Sequence, residues 1–183
     1  AQVLLPVAAA MYAVYHGPDG LGRIARRVHA LTALLSAGLS RLGYTPDGRT
    51  FFDTLSITLG PEDVDRIRKA AARRRINLRP LDGSRVGIAF DETVNEEDVR
   101  DLLEVFATDG QLPFDLDDLL SESPDAEPGI PAALARSALF LEHPVFHRFR
   151  SETEMLRYLK RLENRDLSLA HAMIPLGSCT MKL

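Results

Sequence analysis

The sequence predicts an α+β fold, a small sheet covered by helices in the order helix-strand-helix-strand-strand-helix, with a mostly helical C-terminal extension. Three observations carry this expectation. Apolar residues recur at three- and four-residue steps between Leu21 and Leu42. Apolar and polar residues alternate around Leu55, Ile57 and Leu59 and again around Val86, Ile88 and Phe90. An Asp82-Gly83 turn signal precedes the second alternating run. With 183 residues and 45% hydrophobic content, the chain can bury one sizeable core plus an appendage.

Residues 1–17 are apolar on every side, through Val3, Leu4, Leu5, Val7, Met11, Tyr12, Val14 and Tyr15. A helix of that kind is expected to be buried, here under neighbouring parts of a longer protein. Pro6 fits a first turn or a kink, because it removes an amide hydrogen and crowds the preceding turn. Tyr12, Tyr15 and His16 could face an active site, with packing aromatics and a satisfied histidine as the default reading. The opening residue is not methionine, and the chain reads as a piece of something longer.

Gly17-Pro18-Asp19-Gly20 interrupts the helix, and residues 18–107 then read as one small α/β domain. A core-facing helix runs to about Leu42 on Leu21, Ile24, Val28, Leu31, Leu35 and Leu39, with Gly43 as its cap. Arg23, Arg26 and Arg27 lie off that stripe, on a solvated face. The strand at Leu55–Leu59 leads to Gly60-Pro61-Glu62-Asp63, a helix start with proline early and acids near the positive end of the dipole. Val64, Ile67 and Ala71 form the narrow buried stripe, and Arg73, Arg74 and Arg75 complement the negative end. Ile76 and Leu78 are expected to begin the next strand, with Pro80 at its end, where losing a donor costs little. Asn95 with Asp98 is a capping-box relative, with Val94 and Val99 placed as a hydrophobic staple. Val99, Leu102, Leu103 and Phe106 mark the buried face of that last helix.

Residues 108–130 change character: seven acids, no lysine or arginine, and Pro113, Pro124 and Pro128 as punctuation, the pattern of a linker. Residues 131–183 open with a short helical possibility at Pro131–Arg136 and turn at His143-Pro144. Phe140, Leu141, Val145, Phe146 and Phe149 lack an obvious internal partner and are expected to pack on another domain or subunit. Ser151-Glu152-Thr153-Glu154 is a capping-box pattern, with Met155, Leu156, Leu159 and Leu162 along one face behind it. Glu154, Arg157 and Arg161 are spaced to pair along the side of that helix.

Several function classes are disfavoured. A net charge of −4 gives no reason to expect nucleic acid, and the arginine triplet is explained by its helix end. One cysteine excludes an internal disulfide and suits a reducing compartment. The apolar opening meets Pro6 and His16 too soon to span a bilayer, and no cleavable leader is seen, so no membrane is expected. His16, His29, His143, His147 and His171 share no spacing that suggests a metal site, and Pro144 undermines the helix that would align His143 with His147.

The densest chemistry lies at the end, Met173-Ile174-Pro175-Leu176-Gly177-Ser178-Cys179-Thr180-Met181-Lys182-Leu183. With Ser151–Leu169 before it, this end resembles the start of the second half of the glycine cleavage system P-protein, the decarboxylating glycine dehydrogenase family. Ala1–Leu5 and Met11-Tyr12-Ala13-Val14-Tyr15-His16-Gly17-Pro18 resemble the close of that family's first half, and Leu141-Glu142-His143-Pro144-Val145-Phe146 its passage into the second.

The resemblance implies an organisation. Residues 1–17 would be a helix from the preceding large domain, and 18–107 would resemble the small domain of fold-type-I pyridoxal phosphate enzymes. Residues 108–130 would join the halves, and 131–183 would start the second. It implies pyridoxal phosphate as cofactor, carbon dioxide released from glycine, and an aminomethyl group passed to the lipoyl arm of H-protein. The partners are then the remaining halves of the P-protein and lipoylated H-protein, in a dimer of the full enzyme. A cytoplasmic location is favoured over a mitochondrial matrix. Ser178, Cys179, Thr180 and His171 are the candidates for lining the cofactor and substrate pocket. No catalytic residue is assigned: of Lys69, Lys160 and Lys182, the first two sit on ordinary helices, and the family's Schiff-base lysine lies beyond Leu183. The isolated chain is therefore expected to be inactive. Cys179 reads as structural, since no histidine can be paired with it from sequence. The alternative is a self-standing α/β binding module with a partner-docking tail.

Overall fold

The computed structural model describes residues 3–48, 50–122, 130–165, 168 and 171. Its contacts divide the chain into two compact units, residues 23–137 and residues 1–22 with 138–183.

In the unit of residues 23–137, the order expected from sequence is present. Helix α1 spans Leu4–Arg41, and its part beyond Gly22 buries Val28, Leu31, Leu35 and Leu39 along one face. It ends as the glycine foretells. Gly43 has φ of 89°, its amide donates to the Ser40 carbonyl at 3.1 Å, and the Tyr44 amide reaches back to Leu39 at 2.9 Å. These two bonds satisfy carbonyls that the helix end would otherwise leave open.

Strand β1, Thr54–Thr58, buries Leu55 and Ile57, leaves Ser56 between them half-buried and exposes Thr54 and Thr58 at its ends. Helix α2, Pro61–Arg73, starts on its proline and buries Ile67 and Ala71. Strands β2, Arg79–Pro80, and β3, Arg85–Ala89, form a hairpin whose turn is held by Asp82, its carboxylate accepting the amides of Ser84 and Arg85, each at 2.8 Å. The sheet is antiparallel in the order β1-β3-β2, with Leu55 opposite Ile88 and Arg79 opposite Gly87. Helix α3, Glu96–Phe106, has the full capping box at Asn95 and Asp98 and buries Val99, Leu102, Leu103 and Phe106.

Two expectations need correcting here. The strand expected from Ile76 is confined to Arg79–Pro80, because α2 closes through Arg75, a non-glycine residue at φ of 59°. The Ile76 amide donates to the Ala71 carbonyl at 2.9 Å, so the chain leaves the helix in a direction that delays sheet pairing. The stretch read as an acidic linker carries a helix, α4, Leu116–Glu122, whose Leu116 and Leu119 are buried in the core. Their spacing of three was outweighed in the sequence by the surrounding acids.

In the second unit, α1 is broken at one residue. Gly17, with φ of 58° and ψ of −173°, leaves helical geometry, and Pro18 follows inside the helix. The first residues of α1 are not covered within this chain: Leu4 is 79% exposed and Leu5 72%. A turn of 3-10 helix at Pro144–His147 follows His143, whose ring accepts the Val145 amide at 3.2 Å. Helix α5, Glu152–Glu163, begins at Ser151, whose hydroxyl accepts the Glu154 amide at 3.3 Å. The expected pairing of Glu154 with Arg157 and Arg161 is not formed. Arg161 instead lies over two aromatic rings.

Candidate functional site

Of the four pocket candidates, the structure describes His171; Ser178, Cys179 and Thr180 lie outside the described residues. His171 is tied to the end of α5. Its amide donates to the Ser168 carbonyl at 2.9 Å, and Lys160 Nζ lies 3.1 Å from its Nε2. A lysine ammonium only donates, so Nε2 accepts and the ring proton belongs on Nδ1. Lys160 also donates to Glu163 Oε2 at 2.9 Å, and the Ser168 hydroxyl to Oε1 at 2.9 Å. The Lys160 hydrogen bond, with that of Ser168, holds the Glu163 carboxyl below its ordinary range. This is a local, solvent-facing network in which Glu163 and His171 share one cation.

Sequence reasoning missed a second cluster in the same unit. Phe149 and Tyr158 stack with centroids 4.1 Å apart and planes 12° from parallel. Arg161 lies over both rings, 5.4 Å and 5.3 Å from their centroids, and Arg148 is 5.9 Å from that of Phe149. With Glu154 and Arg157 these residues line a groove of about 200 Å³ carrying three arginines and one acid. Arg157 and Arg161, four apart on α5, were a visible spacing; the stacking of Phe149 on Tyr158 had no sequence signal.

A third arrangement explains His16 and Gly17. Arg150 donates from Nη1 to the His16 carbonyl and from Nη2 to the Phe146 carbonyl, both at 2.7 Å. Its Nε is buried without a hydrogen-bond partner among the described residues. A Cβ at Gly17 would fall 2.2 Å from Arg150 Nη2, so the guanidinium occupies the space that a side chain would need. His16 packs between Tyr12, at 4.3 Å, and Tyr15, at 5.2 Å between ring centroids, which is the default packing role.

Among the described residues no group of three or more His, Cys, Asp or Glu side chains could hold an ion. His143 and His147 are each turned to backbone, His147 Nε2 lying 2.9 Å from the Leu141 carbonyl. No helix among the described residues is long and apolar enough to cross a membrane.

The family model described as "Glycine cleavage system P-protein" matches residues 1–106. Proteins named "Glycine dehydrogenase (decarboxylating)" are similar along the whole chain: 53% identical in Nostoc sp. strain PCC 7120, 54% in Cupriavidus metallidurans and 52% in Synechocystis sp.. All of this chain is covered in each case, against 19%, 18% and 18% of the three relatives, so the chain spans about a fifth of their length.

Proposed function

The chain belongs to the glycine cleavage system P-protein family, and from that premise we propose that it is an internal segment of a pyridoxal-phosphate-dependent glycine decarboxylase. The carrying observation is that similarity of 52–54% runs through all of this chain, beyond the 1–106 matched by the family model. A self-standing module at 18–107 would not require the tail to resemble the same enzymes. Residues 18–107 would then correspond to a small domain of the fold-type-I kind, residues 108–130 to the connection between the halves, and residues 131–183 to the start of the second half.

The described residues do not fit a pyridoxal phosphate anchor. Such an anchor needs a lysine amine in a sheltered site. Lys69 is exposed on α2, and Lys160 is half-exposed and engaged by Glu163 and His171. The contribution proposed for this chain is to line the pocket with Ser178, Cys179 and Thr180, with His171 at its border. Their hydroxyls, thiol and ring nitrogens can donate to or accept from a carboxylate, a phosphate or a ring substituent. In the whole enzyme the aminomethyl group from glycine would pass to lipoylated H-protein, in the cytoplasm, with the enzyme a dimer.

The test uses the full-length polypeptide that carries this segment, with lipoylated H-protein as acceptor. Glycine-dependent release of carbon dioxide is expected, falling at least tenfold in Ser178→Ala and Thr180→Val variants that remain folded. Carbon dioxide released by the 183-residue chain alone would overturn its reading as a non-catalytic piece. Full-length protein that is loaded with pyridoxal phosphate and yet leaves glycine intact would overturn the activity itself.

A further inference from the structure

The sheet in the unit of residues 23–137 has an open stretch of edge. Strand β3 meets β1 through alternate residues, as the Leu59 amide donates to Ser84 and the Phe90 amide to Asp53. Alternation then turns the amides and carbonyls of Arg85, Gly87 and Ala89 toward β2. The Leu81 amide donates to Arg85 at 3.0 Å, and Arg79 stands opposite Gly87. The next pair in the series would set Asn77 opposite Ala89. It is not made, because β2 ends at Arg79. Ala89, an exposed residue, thus presents a donor and an acceptor with no backbone partner on that side among the described residues.

A cleft of about 360 Å³ opens where the pairing stops, with Ile76–Leu78 on one wall and Ile88–Phe90 on the other. Ile88, Phe90 and Leu102 give it a buried apolar floor. Three of the four charges lining it are already engaged. Asp98 accepts the Asn95 amide, and Asp101 pairs with Arg74, which also bonds Glu104. The Arg75 side chain has no ion pair or hydrogen bond among the described residues. It is also held at φ of 59°, a conformation in which glycine would be cheaper.

We propose that this edge receives an extended peptide segment as an added strand, its backbone pairing with Ala89, an apolar side chain on the floor and an acidic one on Arg75. A donor and acceptor presented along a strand edge are what another extended backbone satisfies, while alternate side chains supply selectivity. The uncommitted charge is positive, which selects an acidic segment over a basic one. This strand edge is distant in sequence from Ser178–Thr180 and would bind its peptide whether or not those residues line a cofactor pocket.

The experiment titrates the ¹⁵N-labelled 183-residue chain with a capped pentapeptide of central glutamate flanked by valines and threonines. Saturable shifts centred on the Ala89 and Gly87 amides are expected. Replacing the probe's glutamate by glutamine, or Arg75→Gln in the protein, should weaken binding about tenfold, the loss of one charge-assisted hydrogen bond. Methylating the probe's backbone nitrogens should abolish it. The proposal is overturned if the Ala89 amide is already protected from hydrogen exchange in the free chain. Shifts centred elsewhere, or binding indifferent to backbone methylation, would overturn it equally.

Discussion

Gly38 of α1 and Leu103 of α3 lie in direct apposition, such that a Cβ on Gly38 would fall 2.6 Å from Leu103 Cδ1 and 2.7 Å from Cδ2. The missing side chain is what lets α3 seat its fully buried leucine against α1. Gly38→Ala sets overpacking, about 1–3 kcal/mol, against a helix-propensity gain of up to about 1 kcal/mol. A net loss in urea denaturation is therefore expected. Gly38→Ala should cost less in a Leu103→Ala background, where the space is free, and a double-mutant cycle with no coupling would contradict the contact.

Gly17→Ala should be worse tolerated. It combines a left-handed φ of 58° with a Cβ that would meet Arg150 and the Phe146 carbonyl, at 2.2 Å and 2.4 Å. The expected result is loss of the Arg150 bond to the His16 carbonyl and earlier proteolysis within residues 138–165. Arg150→Met removes the same bond without the strain, so the two losses should not add. Full additivity by thermal melting would show that the two residues do not act together.

Arg66 ties three places in the unit of residues 23–137 together. It donates to Asp63, to the Tyr44 hydroxyl at 2.7 Å, and to the carbonyls of Phe106 and Ala107 at 3.1 Å and 3.0 Å, where α3 ends. Arg66→Met should cost about 1.5–3 kcal/mol, and Tyr44→Phe less, because the second leaves Arg66 its bonds to Asp63 and to the Phe106 and Ala107 carbonyls. Burial, followed by the Asp63 hydrogen bond, pushes the Tyr44 phenol above its ordinary range. Ultraviolet titration should show one tyrosine ionising later than the rest, and Arg66→Met should alter that transition.

Acid should weaken the β2–β3 turn. The Ser84 amide, then the Arg85 side chain, hold the Asp82 carboxyl well below its usual value. Asp47 is held low chiefly by Ser56, and Asp91 by Thr93. A carboxyl whose folded-state pKa is depressed contributes stability above its unfolded value, about 3.9 for aspartate, and that contribution is lost as pH falls below it. Urea midpoints should thus be flat from pH 7 to about 5 and fall below about 4. Asp82→Asn should have a lower midpoint at pH 7 and a shallower acid slope; an unchanged slope would show that the turn carries none of this dependence.

Local signals in the sequence proved readable where one or two residues determine geometry. Asn95 with Asp98, the alternation in β1 and β3, and Gly43 each specify a structure within a few residues of themselves. What could not be read depends on distant partners. Ile76 and Leu78 look like strand residues, and only the left-handed Arg75 explains why pairing starts later. Leu116 and Leu119 are buried among acids because the core accepts them, not because their own segment announces it. The role of Gly17 required Arg150, whose bond to His16 spans 134 positions. For the site, His171 could be named from sequence, but Lys160, which it meets from eleven positions away, and Glu163, which shares that lysine, could not.

The order β1-β3-β2 has a consequence during synthesis. The strand made last is the central one, so both of its neighbours emerge before the element that joins them. About thirty residues separate the completion of β1 from that of β3, which at roughly 5–20 residues per second is about 2–6 s of translation. Throughout that interval Leu55 and Ile57 lack their partners on β3, Ile88 and Val86. A pause by the ribosome between Thr58 and Ala89 would therefore prolong exposure of a sticky strand, whereas a pause after Ala89 would find the sheet already able to close.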